Sequence, residues 1–150
     1  MDKQSRILVV DDDETIRTTM KAILQDEGYT VDLAATGKEA IQKTQEKSYN
    51  VALLDIRLPD MEGVELLKLL KDGVPRTRKI MVTGYPSMQN AISALNKNAD
   101  AYLLKPVDVE KLLNTVKQQL VDQENERKFS EEKVAEFIES RVKEVSTNGP

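Results

Sequence analysis

Five short runs of strand-forming residues, spaced at roughly 22 residues, constrain this 150-residue chain most. They are RILVV (6–10), TVDLA (30–34), VALLD (51–55), KIMVT (79–83) and AYLLK (101–105). VALLD is four apolar residues ending in a carboxylate. A short continuous apolar run reads as a strand buried on both faces, as in a parallel sheet. TVDLA alternates, as a half-exposed edge strand does. Parallel neighbours need long crossovers, and the intervening segments read as helices. After RILVV, Ile16, Met20, Ile23 and Leu24 fall at helical spacing, with Gly28 placed for a left-handed C-cap. Thr36 and Glu39 form a capping box for a second helix running to about Lys47. Leu66, Leu67 and Leu70 line a third, and Ser87 can cap a fourth carrying Met88, Ala91, Ile92 and Leu95. Residues 109–120 make a fifth, with Val109, Leu112, Leu113, Val116 and Leu120 on one face. The expected fold is a doubly wound α/β domain with a five-stranded parallel sheet, (βα)5 and flavodoxin-like.

In such a sheet the ligand site lies at the C-terminal ends of the strands. The first strand ends in Asp11-Asp12-Asp13, the third in Asp55, the fourth in Thr83 and the fifth in Lys105. Those ends share one edge, so the groups converge. Taken singly, Asp55, Asp11 or Asp12 could be a helix cap, Thr83 an ordinary strand residue and Lys105 a solvated lysine. Asp13 reads as a helix-start residue favoured by the dipole. Together, Asp11, Asp12 and Asp55 repel one another unless a cation or protons neutralise them. The chain has no histidine and no cysteine. The donors are therefore hard oxygens, which select Mg²⁺ (or Mn²⁺) over zinc. Asp55 can then attack phosphorus and form an aspartyl phosphate, with Lys105 stabilising charge on the transferring group. The Thr83 hydroxyl can donate to a phosphoryl oxygen once one is present.

Residues 7–14 (ILVVDDDE), 53–63 (LLDIRLPDMEG), 81–85 (MVTGY) and 102–106 (YLLKP) resemble the receiver domain of two-component response regulators, with its chemotaxis-type receiver fold. The resemblance spans roughly residues 5–120. It implies Asp55 as phosphoacceptor, supplied by a sensor histidine kinase. It implies a divalent-cation site at Asp11, Asp12 and Asp55, with Arg57 contributing its backbone carbonyl. Thr83 and Tyr102 become a switch pair and Lys105 a phosphate contact. A cis peptide before Pro106 is also implied. Arg57 and Tyr85 flank the site, where they could partly shield it, and Gly84 leaves it open. The chain would be a phosphorylation-activated signalling protein, not an enzyme beyond its own phosphotransfer and dephosphorylation. Its output would be a protein-binding surface on the fourth helix, fifth strand and fifth helix. A pseudo-receiver scaffold is the first rival, disfavoured by the complete set of acids, Thr83 and Lys105. A small metabolite phosphatase is the second. In the haloacid manner it would want an acid two residues after Asp55, where Arg57 stands, and a substrate domain.

Net charge is −4, about −1 over residues 1–120 and −3 over 121–150, so neither part suggests nucleic-acid binding. The lack of cysteine suits the reducing cytoplasm. No apolar run approaches the ~20 residues of a membrane span, and the start has no signal-peptide core. The expected organisation is a receiver at 1–122 and an amphipathic helical extension at 123–150. Residues 121–128 are almost wholly polar. Ser130-Glu131-Glu132 then reads as a new helix start, followed by an apolar stripe of Val134, Phe137, Ile138, Val142 and Val145. The polar stretch before it can let the helix fold back or extend the fifth helix into a rod. The stripe is expected to dock on its own receiver, pair with a second copy or dock an output partner. The tail is expected to be too short and too acidic for a DNA-binding output domain, or else to begin a longer output module.

Overall fold

The computed structural model describes residues 5–84 and 99–147. The strands are β1 (Arg6–Val10), β2 (Thr30–Ala34), β3 (Val51–Asp55), β4 (Arg78–Thr83) and β5 (Ala101–Leu104). The described helices are α1 (Glu14–Asp26), α2 (Gly37–Glu46), α3 (Gly63–Leu69) and α4 (Val109–Thr147). Helix α4 is thus the fifth expected from sequence. The expected fourth, with Ser87 to Leu95, and Tyr85 lie outside the described residues.

The five strands form one parallel sheet in the order β2-β1-β3-β4-β5. Alternation within the strands builds a core on each face. Ile7, Val9, Val51, Leu53, Ile80 and Val82 pack with Met20 and Leu24 of α1 and with Leu112, Val116 and Leu120 of α4. Leu8, Val10, Ala52, Leu54 and Met81 pack with Ala40 of α2 and with Leu66 and Leu67 of α3. Leu54 is fully buried, so truncating it to alanine would cost about 2–5 kcal/mol. The alternating β2 is an edge strand. Gly28 ends α1 with φ 97°, the left-handed backbone that glycine adopts most readily.

The long helix follows one of its two expected courses, the fifth helix extended into a rod. It runs unbroken for 39 residues, about 58 Å, so Ser130 is not a helix start. Asp108 caps its beginning, accepting from the Lys111 amide at 3.0 Å. The polar segment after Leu120 does not interrupt the helix, because its polar side chains bond to the base of the sheet, at the strands' N-terminal ends. Gln123, nearly buried, accepts from the Asn50 side-chain amide at 3.0 Å. It also donates to the backbone oxygens of Asn50 (3.0 Å) and Arg76 (2.8 Å). Arg78 reaches Gln119 at 2.9 Å and Glu126 at 3.0 Å. Asp100 takes a bidentate pair from Arg76 (3.0 and 2.8 Å) and the Lys79 amide (2.8 Å). Beyond Arg127 the helix leaves the body, and residues 128–145 are exposed. Val134 and Ile138 stand about five turns beyond Val116 and Leu120, on the same face. The apolar stripe of the tail thus continues the face that packs on the sheet.

Candidate functional site

Register explains why the acids and the lysine meet. Val10 pairs with Leu54, so Asp11 and Asp55 leave neighbouring strands at the same level. Both fall in phase with Val9 and Leu53, and therefore emerge on the α1/α4 side of the sheet. Lys105 lies two residues past Leu103 and shares that side. Its ammonium sits 2.8 Å from Asp11 Oδ2 and 3.3 Å from Asp55 Oδ2. The Lys105-Pro106 peptide is cis, as the resemblance implies.

Carboxylate oxygens of Asp11, Asp12 and Asp55 all lie within 4.8 Å of one another. Asp11 and Asp55 are buried and Asp12 is exposed. The Asp11 side chain accepts from the Asp13 amide at 2.9 Å, and Arg17 donates to the Asp11 backbone oxygen at 2.8 Å. Asp13 itself caps α1, accepting from the Ile16 amide at 3.2 Å, so its reading as a helix-start residue holds. Burial and then the Asp11 charge push the Asp55 carboxyl above its ordinary range, with Lys105 pulling the other way. Burial would lower the Lys105 ammonium. Its hydrogen bond to Asp11 and the two carboxylate charges raise it instead. The site is thus a pocket of crowded negative charge in which Lys105 is the cation paired with the carboxylates among the described residues. Its all-oxygen donor set suits a hard divalent ion.

Thr83 ends β4 and is fully buried, and its backbone oxygen accepts from the Lys105 amide at 2.7 Å. Gly84 lies against the Lys105 side chain, where an added Cβ would stand 3.6 Å from Lys105 Cβ. Tyr102 pairs with Met81 in register and is 46 % exposed, so its ring is on the surface of β5. The Arg57 amide approaches Asp55 Oδ1 at 3.4 Å from an exposed loop. That loop folds back at Gly63, whose amide donates to the Ile56 oxygen at 2.7 Å. A Cβ on Gly63 would stand 2.3 Å from the Asp55 backbone oxygen, so glycine is required there.

Sequence reasoning passed over Asp60. Its carboxylate accepts from the amides of Gly37 and Lys38, both at 2.9 Å. The Thr36 capping box had made that helix start look complete.

A family model described as the response regulator receiver domain matches residues 7–117. A CheY-like receiver domain protein from Methanospirillum hungatei JF-1 is 49 % identical. It covers 82 % of this chain and 98 % of its own, with a TM-score of 0.73. The response regulator TrrA from Thermotoga maritima, solved in complex with Mg(2+)-BeF, is 33 % identical. It covers 78 % of this chain and 100 % of its own, with a TM-score of 0.70. The transcriptional regulatory protein ZraR of Klebsiella oxytoca is 41 % identical over 79 % of this chain, but only 27 % of ZraR is matched. The chain thus spans about a quarter of the length of that curated relative. Receiver domains are signalling modules that take phosphate from histidine kinases.

Proposed function

Because the chain belongs to the response regulator receiver domain family, we propose that Asp55 is its phosphoacceptor. The observation that carries this reading is Lys105 lodged between Asp11 and Asp55, with Asp12 within reach. In the transfer, an Asp55 carboxylate oxygen bonds to phosphorus as the bond from phosphorus to a kinase histidine nitrogen breaks. The electron pair returns to the imidazole. In dephosphorylation, water attacks phosphorus, the bond from phosphorus to the Asp55 oxygen breaks, and Asp55 leaves as carboxylate while inorganic phosphate and a proton are released. Lys105 holds charge on the phosphoryl oxygens, and Thr83 donates its hydroxyl to one of them. Asp11, Asp12, Asp55 and the Arg57 backbone carbonyl would hold Mg²⁺ (or Mn²⁺), which supplies charge neutralisation when bound. The Mg(2+)-BeF complex of TrrA supports that assignment. Beyond this self-directed chemistry the chain is a switch, not an enzyme.

Thr83 and Tyr102 form the switch pair. Thr83 is drawn toward the phosphoryl group, and exposed Tyr102 turns inward. The changed surface involves β5 and its flanking helices and engages a protein partner or a second copy. The receiver unit extends through Glu126, since Gln123 and Glu126 bond to the sheet's base. The remaining tail is a docking helix for a second copy or an output partner. No described helix is long and apolar enough to cross a membrane. As the acceptor of phosphate from a sensor histidine kinase, the chain would work in the cytoplasm. A net charge of −4 does not favour nucleic-acid binding by this chain.

The test is incubation with a small phosphodonor and Mg²⁺, followed by mass spectrometry. One phosphoryl group is expected, absent from Asp55→Asn. Full labelling of that variant overturns the assignment.

A further inference from the structure

The loop between β3 and α3 carries Arg57 past the acid cluster. Its two ends are tied together. The backbones of Arg57 and Glu62 pair in an isolated antiparallel β-bridge, and the Leu58 amide donates to the Met61 oxygen at 3.1 Å. The Gly63 amide closes on Ile56. These bonds fix the loop's shape but not its orientation over the site, because all of them lie within the loop and its stem. The tip, Pro59-Asp60-Met61, is held by Asp60 on Gly37 and Lys38, more than twenty residues away in sequence.

That contact is well matched. The first amides of a helix have no acceptor within it. Here Gly37 and Lys38 donate to Asp60, and Glu39 donates to Thr36. A carboxylate at a helix N-terminus is also favoured by the dipole. The amides of Lys38 and Gly37 together hold the Asp60 carboxyl below its ordinary range, so it stays charged. Met61 lies against Gly37, where a Cβ would stand 2.5 Å from its side chain. The far side of α2's start is tied to the acid pair as well, because the Asp11 amide donates to the Ala34 oxygen at 3.1 Å. A closed circuit results: Asp11 to Ala34, along the chain to Gly37 and Lys38, across to Asp60, and back through Arg57 to Asp55.

We propose that Asp60 is a positioning residue for the divalent-cation site, clamping the Arg57 loop against the start of α2 so that the loop carbonyl and the three carboxylates keep one geometry. This rests on the reading of Asp11, Asp12 and Asp55 as metal ligands. Outer contacts that orient metal ligands typically matter by about 10–100-fold in affinity. Asp60→Ala is expected to weaken Mn²⁺ binding within that range. Asp60→Asn, which keeps one acceptor oxygen, is expected to fall between the two.

The experiment titrates the full chain with Mn²⁺, following free ion by electron paramagnetic resonance, and repeats the titration on the Asp11→Asn/Asp12→Asn double variant. Phosphorylation by a small phosphodonor is measured against Mg²⁺ concentration in parallel. For the Asp60 variants the expected result is a curve shifted to higher Mg²⁺ with the parental plateau retained. A generally damaged fold would lower the plateau instead. Binding by Asp60→Ala and Asp60→Asn equal to the parent, with the double variant impaired, overturns the role of Asp60 and leaves the site standing. A loss that persists at saturating Mg²⁺ in both Asp60 variants also overturns it. Equal binding by parent and double variant overturns the site itself.

Discussion

Lys105 and Asp11 form an ion pair of 2.8 Å across the mouth of the site, with the lysine side chain only 20 % exposed. The lysine occupies the space between two buried carboxylates and supplies the positive charge they need. Replacing it by methionine leaves the Asp11 and Asp55 carboxylates crowded without the ammonium that pairs with both. Lys105→Met should therefore gain more thermal stability from added Mg²⁺ than the parent does, since a ligand stabilises in proportion to its affinity for the folded state. Labelling at saturating Mg²⁺ should nonetheless slow by about 10²-fold or more, as when one preorganised charge donor is removed. Melting curves with and without Mg²⁺, plus labelling rates, check both halves. An identical Mg²⁺ response in parent and variant would contradict the charge argument.

Asp11→Asn/Asp12→Asn should abolish Mg²⁺-dependent labelling while leaving the melting temperature at or above the parental value. The substitution removes like-charge repulsion and no core volume. Undiminished labelling of the double variant would count against the metal site.

Thr83→Ala should still accept phosphate but lose the partner response. Thr83 is fully buried and Tyr102 is 46 % exposed, so the proposed switch requires both to move. Phosphorylation is the differential contact that biases it. Comparing partner capture by phosphorylated parent and variant tests this, and normal capture by the variant would refute the coupling.

The strands were readable because burial on two faces writes itself as continuous apolar runs, and their register then carried Asp11, Asp55 and Lys105 to one edge. Sequence hydropathy reads apolar contact and misses bonds between polar groups. Residues 121–128 therefore read only as a polar stretch, although Gln123 and Glu126 fasten the helix to Asn50, Arg76 and Arg78. Asp60 was invisible for a related reason. Helix caps are recognised from local spacing, and this one comes from another loop.

Asp100 shows the same kind of bonding in pH-sensitive form. Burial alone would raise its carboxyl, but the Arg76 pair, the Lys79 amide and nearby Arg78 bring it below the ordinary value of 3.8. A depressed carboxyl contributes stability above its unfolded value and loses it as pH falls through the folded one. Asp100→Asn should therefore be less stable near neutrality, on the order of 2 kcal/mol for a charged hydrogen-bonded group. The gap should narrow as pH drops below about 4. Denaturant unfolding at pH 7 and pH 3 measures it, and a gap that widens toward acid would contradict the assignment.

The tail sets the last test. Phe129, Val134, Phe137, Ile138, Val142 and Val145 are each more than half exposed. Val74 and Pro75 face Val134, Ala135 and Ile138 across an open groove at the base of the sheet. Burying such a side chain contributes about 1.5–3 kcal/mol, so six left wet favour association. The full chain should sediment with a concentration-dependent mass, and a truncation after Arg127 should remain monomeric. A truncation after Asp122 should also be monomeric but less stable than the longer one, because it removes Gln123 and leaves buried partners at Asn50 and Arg76 without their bonds. The cost should be about 1–3 kcal/mol for each buried group left unmet. Equal stability of the two truncations would show that the receiver ends at 122. A full chain that stays monomeric at high concentration, phosphorylated or not, would remove self-association and leave an output partner as the tail's occupant.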